Sequence, residues 1–424
     1  MFTAAATFVL LGAGGLVTSH GVGMAVPDWP NTFGYNMFFF PFSQWVGGVF
    51  YEHTHRLLAS GVGFCTTVLA IWLHGKSARP FLRWTGLALL ILGIGTALSV
   101  PVRRSDAIVA GLSGMTALAA GVVWPRCEPA QPWLRRLGLG AFLAVVLQGV
   151  LGGLRVILFK DQIGIFHATL AQVFFVLMCA LALFTSRWWE ELALVRKSPG
   201  PLVWVCAGTS LLILMQLILG ATMRHQHAGL AIADFPLAYG KLWPAIDPQS
   251  VAHYNQQRVE ILDVNPITSL QIVLQLAHRL AAIVIFSATA GCAWVAWRRL
   301  GKRDAATRLS LAWFGLIIIQ VLLGAATIWS NKAADIATAH VLVGALTLAL
   351  GAMLTLVLVR QTIFTGQLAT VPVRSPAFRW QDHGGAIVAG NYDVLPPKGG
   401  TPNPGSTPNR GSFGVQSSQP IGIE

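Results

Sequence analysis

The chain has 424 residues, of which 54% are hydrophobic and only 11% charged, and its mean hydropathy is +0.62. A soluble domain carries about 25% charged residues, so this composition excludes a soluble fold and indicates an integral membrane protein. The formal net charge is +13, but the Lys and Arg residues fall between apolar segments as the positive-inside rule requires, so nucleic acid is not an expected partner.

In chain order, the N-terminus MFTAAATFVLLGAGGLVTSH lacks a basic n-region and reads as a first spanning helix rather than a cleaved signal. Apolar windows of membrane length lie near 3–21, 50–73, 83–100, 107–124, 134–155, 163–185, 202–222, 267–297, 307–329 and 335–360. The third and fourth are the shortest. Alternate loops are basic. They hold Lys76, Arg79 and Arg83; then Arg126, Arg135 and Arg136; then Arg187, Arg196 and Lys197; then Arg298, Arg299, Lys302, Arg303 and Arg308. That side is assigned to the cytoplasm, with both termini inside and the chain in the inner (cytoplasmic) membrane. Arg103 and Arg104 break the pattern mildly. From about 363 the composition turns to Pro, Gly, Ser, Thr, Asn and Gln, which reads as a disordered cytoplasmic tail over 363–424. The five cysteines form no CxxC, and none lies in the two long outer loops.

An internal repeat is visible. SHGVGMAVPDWPNTFGY from Ser19 is echoed by RHQHAGLAIADFPLAYG from Arg224, each with Asp-aromatic-Pro. Each is followed by a helix carrying His-Arg, first His55-Arg56 and then His278-Arg279, and each half has a further histidine, His167 or His340. The longer spacing in the first half matches one helical hairpin. The expected architecture is therefore all-α, with two pseudo-symmetric four-helix bundles and about ten spanning helices in all. The first half is 1–82 with 125–187, the inserted hairpin is 83–124, and the second half is 188–362.

An imidazole inside hydrocarbon is costly and usually has a partner. The topology puts all four histidines near one membrane face, where two imidazoles from facing helices can ligate one iron in a helical bundle. The bland alternative is that each histidine simply bonds a neighbouring helix. Three positions before the first histidine of each half stands a polar residue, Glu52 in one and Gln275 in the other. A carboxylate beside an iron site can carry protons, while an amide can only hydrogen-bond. This asymmetry makes the first half the expected reaction site, with Glu52 catalytic, and the second half a cofactor site. Arg56 and Arg279 are candidates for contacts to haem propionates. Arg155 and Arg224, near the outer ends of their helices, are weaker candidates. His20, His53, His74, His225, His227 and His253 are expected in surface or loop roles.

The segments GMAVPDWP, GYNMFFFP, GGVFYEHTHRLLAS, LQGVLGGLRV, FHATLAQ and GLA…DFPL with LAHRL resemble the haem A synthase family. The likeness covers most of residues 1–360. It implies an O₂-dependent oxidoreductase that converts the C8 methyl of haem O to a formyl group, giving haem A for cytochrome oxidase. It also implies that His278 and His340 ligate a haem b cofactor, and that His55 and His167 hold the substrate haem, with Glu52 essential nearby. The partners implied are haem O, an unidentified electron donor and the lipid bilayer, with haem O synthase, cytochrome oxidase assembly factors and a second copy of the chain as further candidates. Two departures stand out. The family has eight helices, so the hairpin is extra, and the outer-loop cysteine pair of some members is missing. A rival reading from the same histidines is a di-haem b-type electron carrier of the quinol oxidoreductase kind, which needs no carboxylate at one haem only.

Overall fold

A computed structural model of the protein describes residues 1–99, 104–192, 200–258 and 266–370, with side chains described to residue 362. The helices are α1 Phe2–Ser19, α2 Gly47–Leu73, α3 Ala78–Ser99, α4 Arg104–Val123, α5 Pro132–Leu158, α6 Asp161–Phe184, α7 Arg187–Glu190, α8 Leu202–His225, α9 Pro248–Gln256, α10 Ser269–Leu300, α11 Ala305–Trp329 and α12 Ala334–Thr370. All but the short α7 and α9 are long and apolar enough to cross a membrane, which makes ten spans among the described residues. The protein is an all-α, multi-pass membrane protein.

Helices are the natural solution in hydrocarbon, because every backbone polar group is then satisfied within its own segment. Interior hydroxyls follow the same rule. Thr66, Ser210 and Ser310 each donate to the carbonyl four residues earlier. Side chains such as Phe64, Trp204, Ile283 and Leu322 are exposed on the outside, where lipid would cover them.

The long helices close two rings. In the first bundle α1 packs on α2, α2 on α5, α5 on α6 and α6 back on α1; in the second, α8, α10, α11 and α12 close in the same way. The helices bearing His55 and His167, α2 and α6, therefore face each other across a diagonal, and so do α10 and α12 with His278 and His340. The bundles meet where α12 touches α1 and α6, and where α6 touches α8. Polar bonds pin this seam. The hydroxyls of Ser19 and Thr338 lie 3.0 Å apart, and the Arg224 guanidinium donates to the Gly15 carbonyl at 2.7 Å and to the Ser19 hydroxyl. The second bundle also has a tight core. Trp313 is fully buried, its indole N–H donates to the Thr347 carbonyl at 2.8 Å, and Gly351 leaves room beneath the ring.

Helices α3 and α4 form the hairpin, and they pack chiefly on each other. A Cβ on Gly86 would stand 2.7 Å from the Leu118 nitrogen, and one on Gly114 would stand 2.8 Å from the Gly86 carbonyl. Small residues allow this backbone approach between membrane helices. The hairpin leaves and re-enters the bundle at adjacent points, since Lys76 N donates to Cys127 O and Ala130 N to Leu73 O, both at 2.9 Å. Asn36 of the first loop donates to Asp106 of α4 at 2.8 Å.

The last helix runs beyond the expected boundary. The composition changes near 363, yet α12 continues to Thr370. The remainder of the expected tail, 371–424, lies outside the described residues.

Candidate functional site

The site is built from the two long loops and the helix ends beneath them. In the first loop the Asp28 carboxylate accepts the N–H of Phe33 at 2.7 Å and of Gly34 at 2.8 Å. In the second, Asp234 accepts from Tyr239 at 2.7 Å and Gly240 at 2.9 Å. Both turns need two successive residues in the left-handed region, φ 51° and 79° for Phe33 and Gly34 and φ 53° and 73° for Tyr239 and Gly240. Glycine takes the second position because it has no Cβ to oppose that conformation. Thr32 pairs with Tyr35 across one turn, and Ala238 with Lys241 across the other.

Each loop is clamped to the helix that follows it. The buried Glu52 accepts from Val26 N at 2.9 Å through one oxygen and from Arg56 at 2.8 Å through the other. At the matching place Gln275 accepts from Ile232 N at 2.6 Å and donates to Ile232 O at 3.1 Å. Glutamate and glutamine thus both accept a loop N–H, but the second oxygen of Glu52 pairs with Arg56 where the Gln275 amide donates to the loop carbonyl. The arginines complete the clamps. Arg56 donates to the carbonyls of Asp28 at 2.7 Å, Asn31 at 3.0 Å and Val26 at 2.9 Å. Arg279 donates to those of Leu237 at 2.8 Å and Asp234 at 2.7 Å. Both guanidinium forks, expected from the sequence to face propionates, are engaged by loop backbone.

Beneath the clamps lie the four histidines. They follow the helix starts at Gly47, Asp161, Ser269 and Ala334, which puts them about 9 to 14 Å below the loop-bearing ends at 1.5 Å per residue. The rings of His278 and His340 have centroids 6.5 Å apart and planes at 59°. Two metal–nitrogen bonds of about 2 Å each, with half of each ring added, nearly fill that gap, so one metal ion fits between them. His55 and His167 stand on the diagonal helices α2 and α6 of the first ring, at about the same depth. The Nδ1 atom of all four rings is buried without a hydrogen-bond partner, an arrangement that calls for an explanation in a folded protein. Among the described residues no three His, Cys, Asp or Glu side chains converge as a metal site, so the histidines stand as two pairs. A donor set of two facing imidazoles in an apolar bundle suits an iron tetrapyrrole.

Two expected loop histidines are buried instead. His53 is fully enclosed, its Nδ1 3.1 Å from the Thr32 hydroxyl and its ring between Phe40 and Trp45. The loop folds back over α2 and covers it, which its position on the helix alone does not reveal. His225 is buried where it fills the space above Gly164. Arg155 stands apart from the other arginines. Among the described residues its guanidinium makes no hydrogen bond or ion pair; it lies over Gly23, within electrostatic range of Glu52 and Asp161.

These features define a class, namely a membrane protein of two four-helix bundles, each carrying a facing histidine pair beneath a clamped loop. The family described as cytochrome oxidase assembly protein (COX15-CtaA) matches residues 105–352, more than half of the chain, and the chain belongs to that family. Three curated relatives carry the name heme A synthase. The one from Symbiobacterium thermophilum is 29% identical over 231 residues, 51% of this chain and 66% of the relative. That from Beijerinckia indica is 26% identical over 281 residues, 66% of this chain and 62% of the relative. That from Rhizorhabdus wittichii is 30% identical over 252 residues, 56% and 65% respectively. The chain thus spans just under two thirds of the length of each.

Proposed function

We propose that the protein is a haem A synthase, an oxidoreductase that uses O₂ to convert the C8 methyl of haem O to a formyl group. One observation carries this reading: both bundles present a facing histidine pair, but only the first places a carboxylate, Glu52, where the second has the isosteric Gln275. In this reading His55 and His167 hold the substrate haem and His278 and His340 hold a resident b-type haem. When bound, that haem supplies one-electron chemistry.

The chain's own residues do the rest. Glu52, held by Val26 N and Arg56, would accept or pass a proton at its carboxylate. The clamped loop keeps bulk water off the site. Arg56 and Arg279 fasten the loops, so we assign the substrate's propionates to Arg155, whose guanidinium is otherwise uncommitted among the described residues. Counting from Gly152 and Gly324, which occupy matching places, the second half has Thr327 at the Arg155 position, and its hydroxyl bonds the Leu323 carbonyl. A charged anchor thus belongs to the substrate half alone. The basic alternate loops support insertion in the inner membrane with both termini cytoplasmic. The electron donor, haem O synthase and oxidase assembly factors are partners by extension of the same reading.

The test is conversion of supplied haem O in membranes carrying the protein. Wild type should yield haem A, and Glu52→Gln should lower the yield about 100-fold or more while retaining the resident haem. Full activity in Glu52→Gln would overturn the assignment. A wild type that carries haem B and converts nothing would favour an electron carrier.

A further inference from the structure

Each of the four rings leans through its Cε1 edge on one glycine of a neighbouring helix. His55 rests on Gly14 of α1, His167 on Gly152 of α5, His278 on Gly220 of α8 and His340 on Gly324 of α11. A methyl group added at these glycines would stand 3.0, 3.3, 3.4 and 3.2 Å from the respective Cε1 atoms. Four residues before three of these glycines, one turn earlier on the same face, is a glutamine. The Gln148 amide donates to the His167 carbonyl at 3.0 Å, and the Gln216 amide to the His278 carbonyl at 2.8 Å. Gln320 brings its amide nitrogen within 3.5 Å of the His340 ring. The fourth seat departs from this pattern, for Leu10 stands one turn before Gly14 and cannot make such a bond.

We propose that these Gln-x-x-x-Gly pairs are positioning seats for the imidazoles, and that the missing amide at Leu10 makes His55 the releasable ligand. The inference rests on the functional reading above. The glycine sets how far the ring stands from the bundle axis, and metal–nitrogen bonds near 2 Å are sensitive to displacements of a few tenths of an ångström. The glutamine ties the ligand's helix to its neighbour with a bond that gains strength in a dry interior. In the second bundle Gln216 ties α8 to the His278 carbonyl and Gln320 stands against the His340 ring itself, so an amide holds each ligand, as suits a resident group. The first has one, on the His167 side; at His55 the ring keeps its bond to the Leu10 backbone but no side-chain amide joins α1 to α2, as suits a substrate that enters and a product that leaves.

The experiment uses the full-length protein purified in detergent. Gly324→Ala should shift the resident haem from low spin toward high spin, read by optical and paramagnetic resonance spectra. Gly315→Ala, on the same helix with nothing within 4 Å of the added methyl, should leave the spectra unchanged. Should Gly324→Ala fail to accumulate, Gly220→Ala, with its longer contact, should show the same shift to a smaller extent. Leu10→Gln should slow transfer of haem O or haem A to apomyoglobin about threefold to tenfold, the effect of one added hydrogen bond, while Leu10→Met should not. Unaltered spectra in both glycine variants, or unaltered release in Leu10→Gln, would overturn the proposal while leaving the functional reading intact. A wild type without bound haem would remove that reading and the seats with it.

Discussion

The first and second bundles repeat one scaffold and differ at a few side chains. Both clamp an aspartate-centred turn over a helix end, both close a ring of four helices, and both set two histidines across a diagonal. Against that likeness stand Glu52 for Gln275, Arg155 for Thr327 and Leu10 for Gln216. Each difference puts charge, or removes a tether, in the first bundle. Gln275 fastens its loop through Ile232 alone, whereas Glu52 also pairs with Arg56. The second bundle serves as a built-in control for the first.

The comparison breaks most visibly at the ligands. His340→Ala should abolish the low-spin resident haem spectrum altogether, with helix content unchanged by circular dichroism. Arg155→Ala comes next. Loss of one charge-assisted contact should raise the apparent KM for haem O about tenfold, with little change in kcat. Thr327→Arg in the other half should not tighten haem O binding there. Asp28→Ala and Asp234→Ala should each release two loop N–H groups to water and lower stability by about 0.5–1.5 kcal/mol, measured by thermal unfolding. The smallest effect is expected from removing the hairpin. Its ends already meet through the Lys76–Cys127 hydrogen bond, and its Asp106 bonds the first loop through Asn36, so deleting residues 78–125 should leave pigment content unchanged and lower turnover no more than Asn36→Ala does. A large loss there would show that α3 and α4 support the site.

Much of this was legible in the sequence because the responsible forces are local. Length and hydropathy mark the ten spans, and histidines in apolar segments stand out because burying them is costly. The Glu52/Gln275 contrast was also visible once the repeat was aligned. The role of Arg56 was not. Its partners, the carbonyls of Val26, Asp28 and Asn31, come within reach only after the loop folds over α2. His53 escaped for the same reason, since the Phe40 and Trp45 side chains that enclose it arrive from that loop. The seats were hidden differently. Gln148, Gln216 and Gln320 sit in strongly apolar runs where a single polar residue carries little weight, and only their shared one-turn spacing to a glycine marks them. The composition changes near residue 363, yet α12 is helical through Thr370, because a gradual change in side chains does not by itself end a helix.

The central claim is that each bundle grips its own tetrapyrrole, with substrate in the first and the resident group in the second. Acid extraction and chromatography of pigments from wild type, His55→Ala and His278→Ala test it most directly. The account predicts haem B with haem O or haem A in wild type, haem B alone in His55→Ala, and loss of haem B in His278→Ala. Pigment content that is identical in all three proteins, or haem B lost from His55→Ala and kept in His278→Ala, would contradict it.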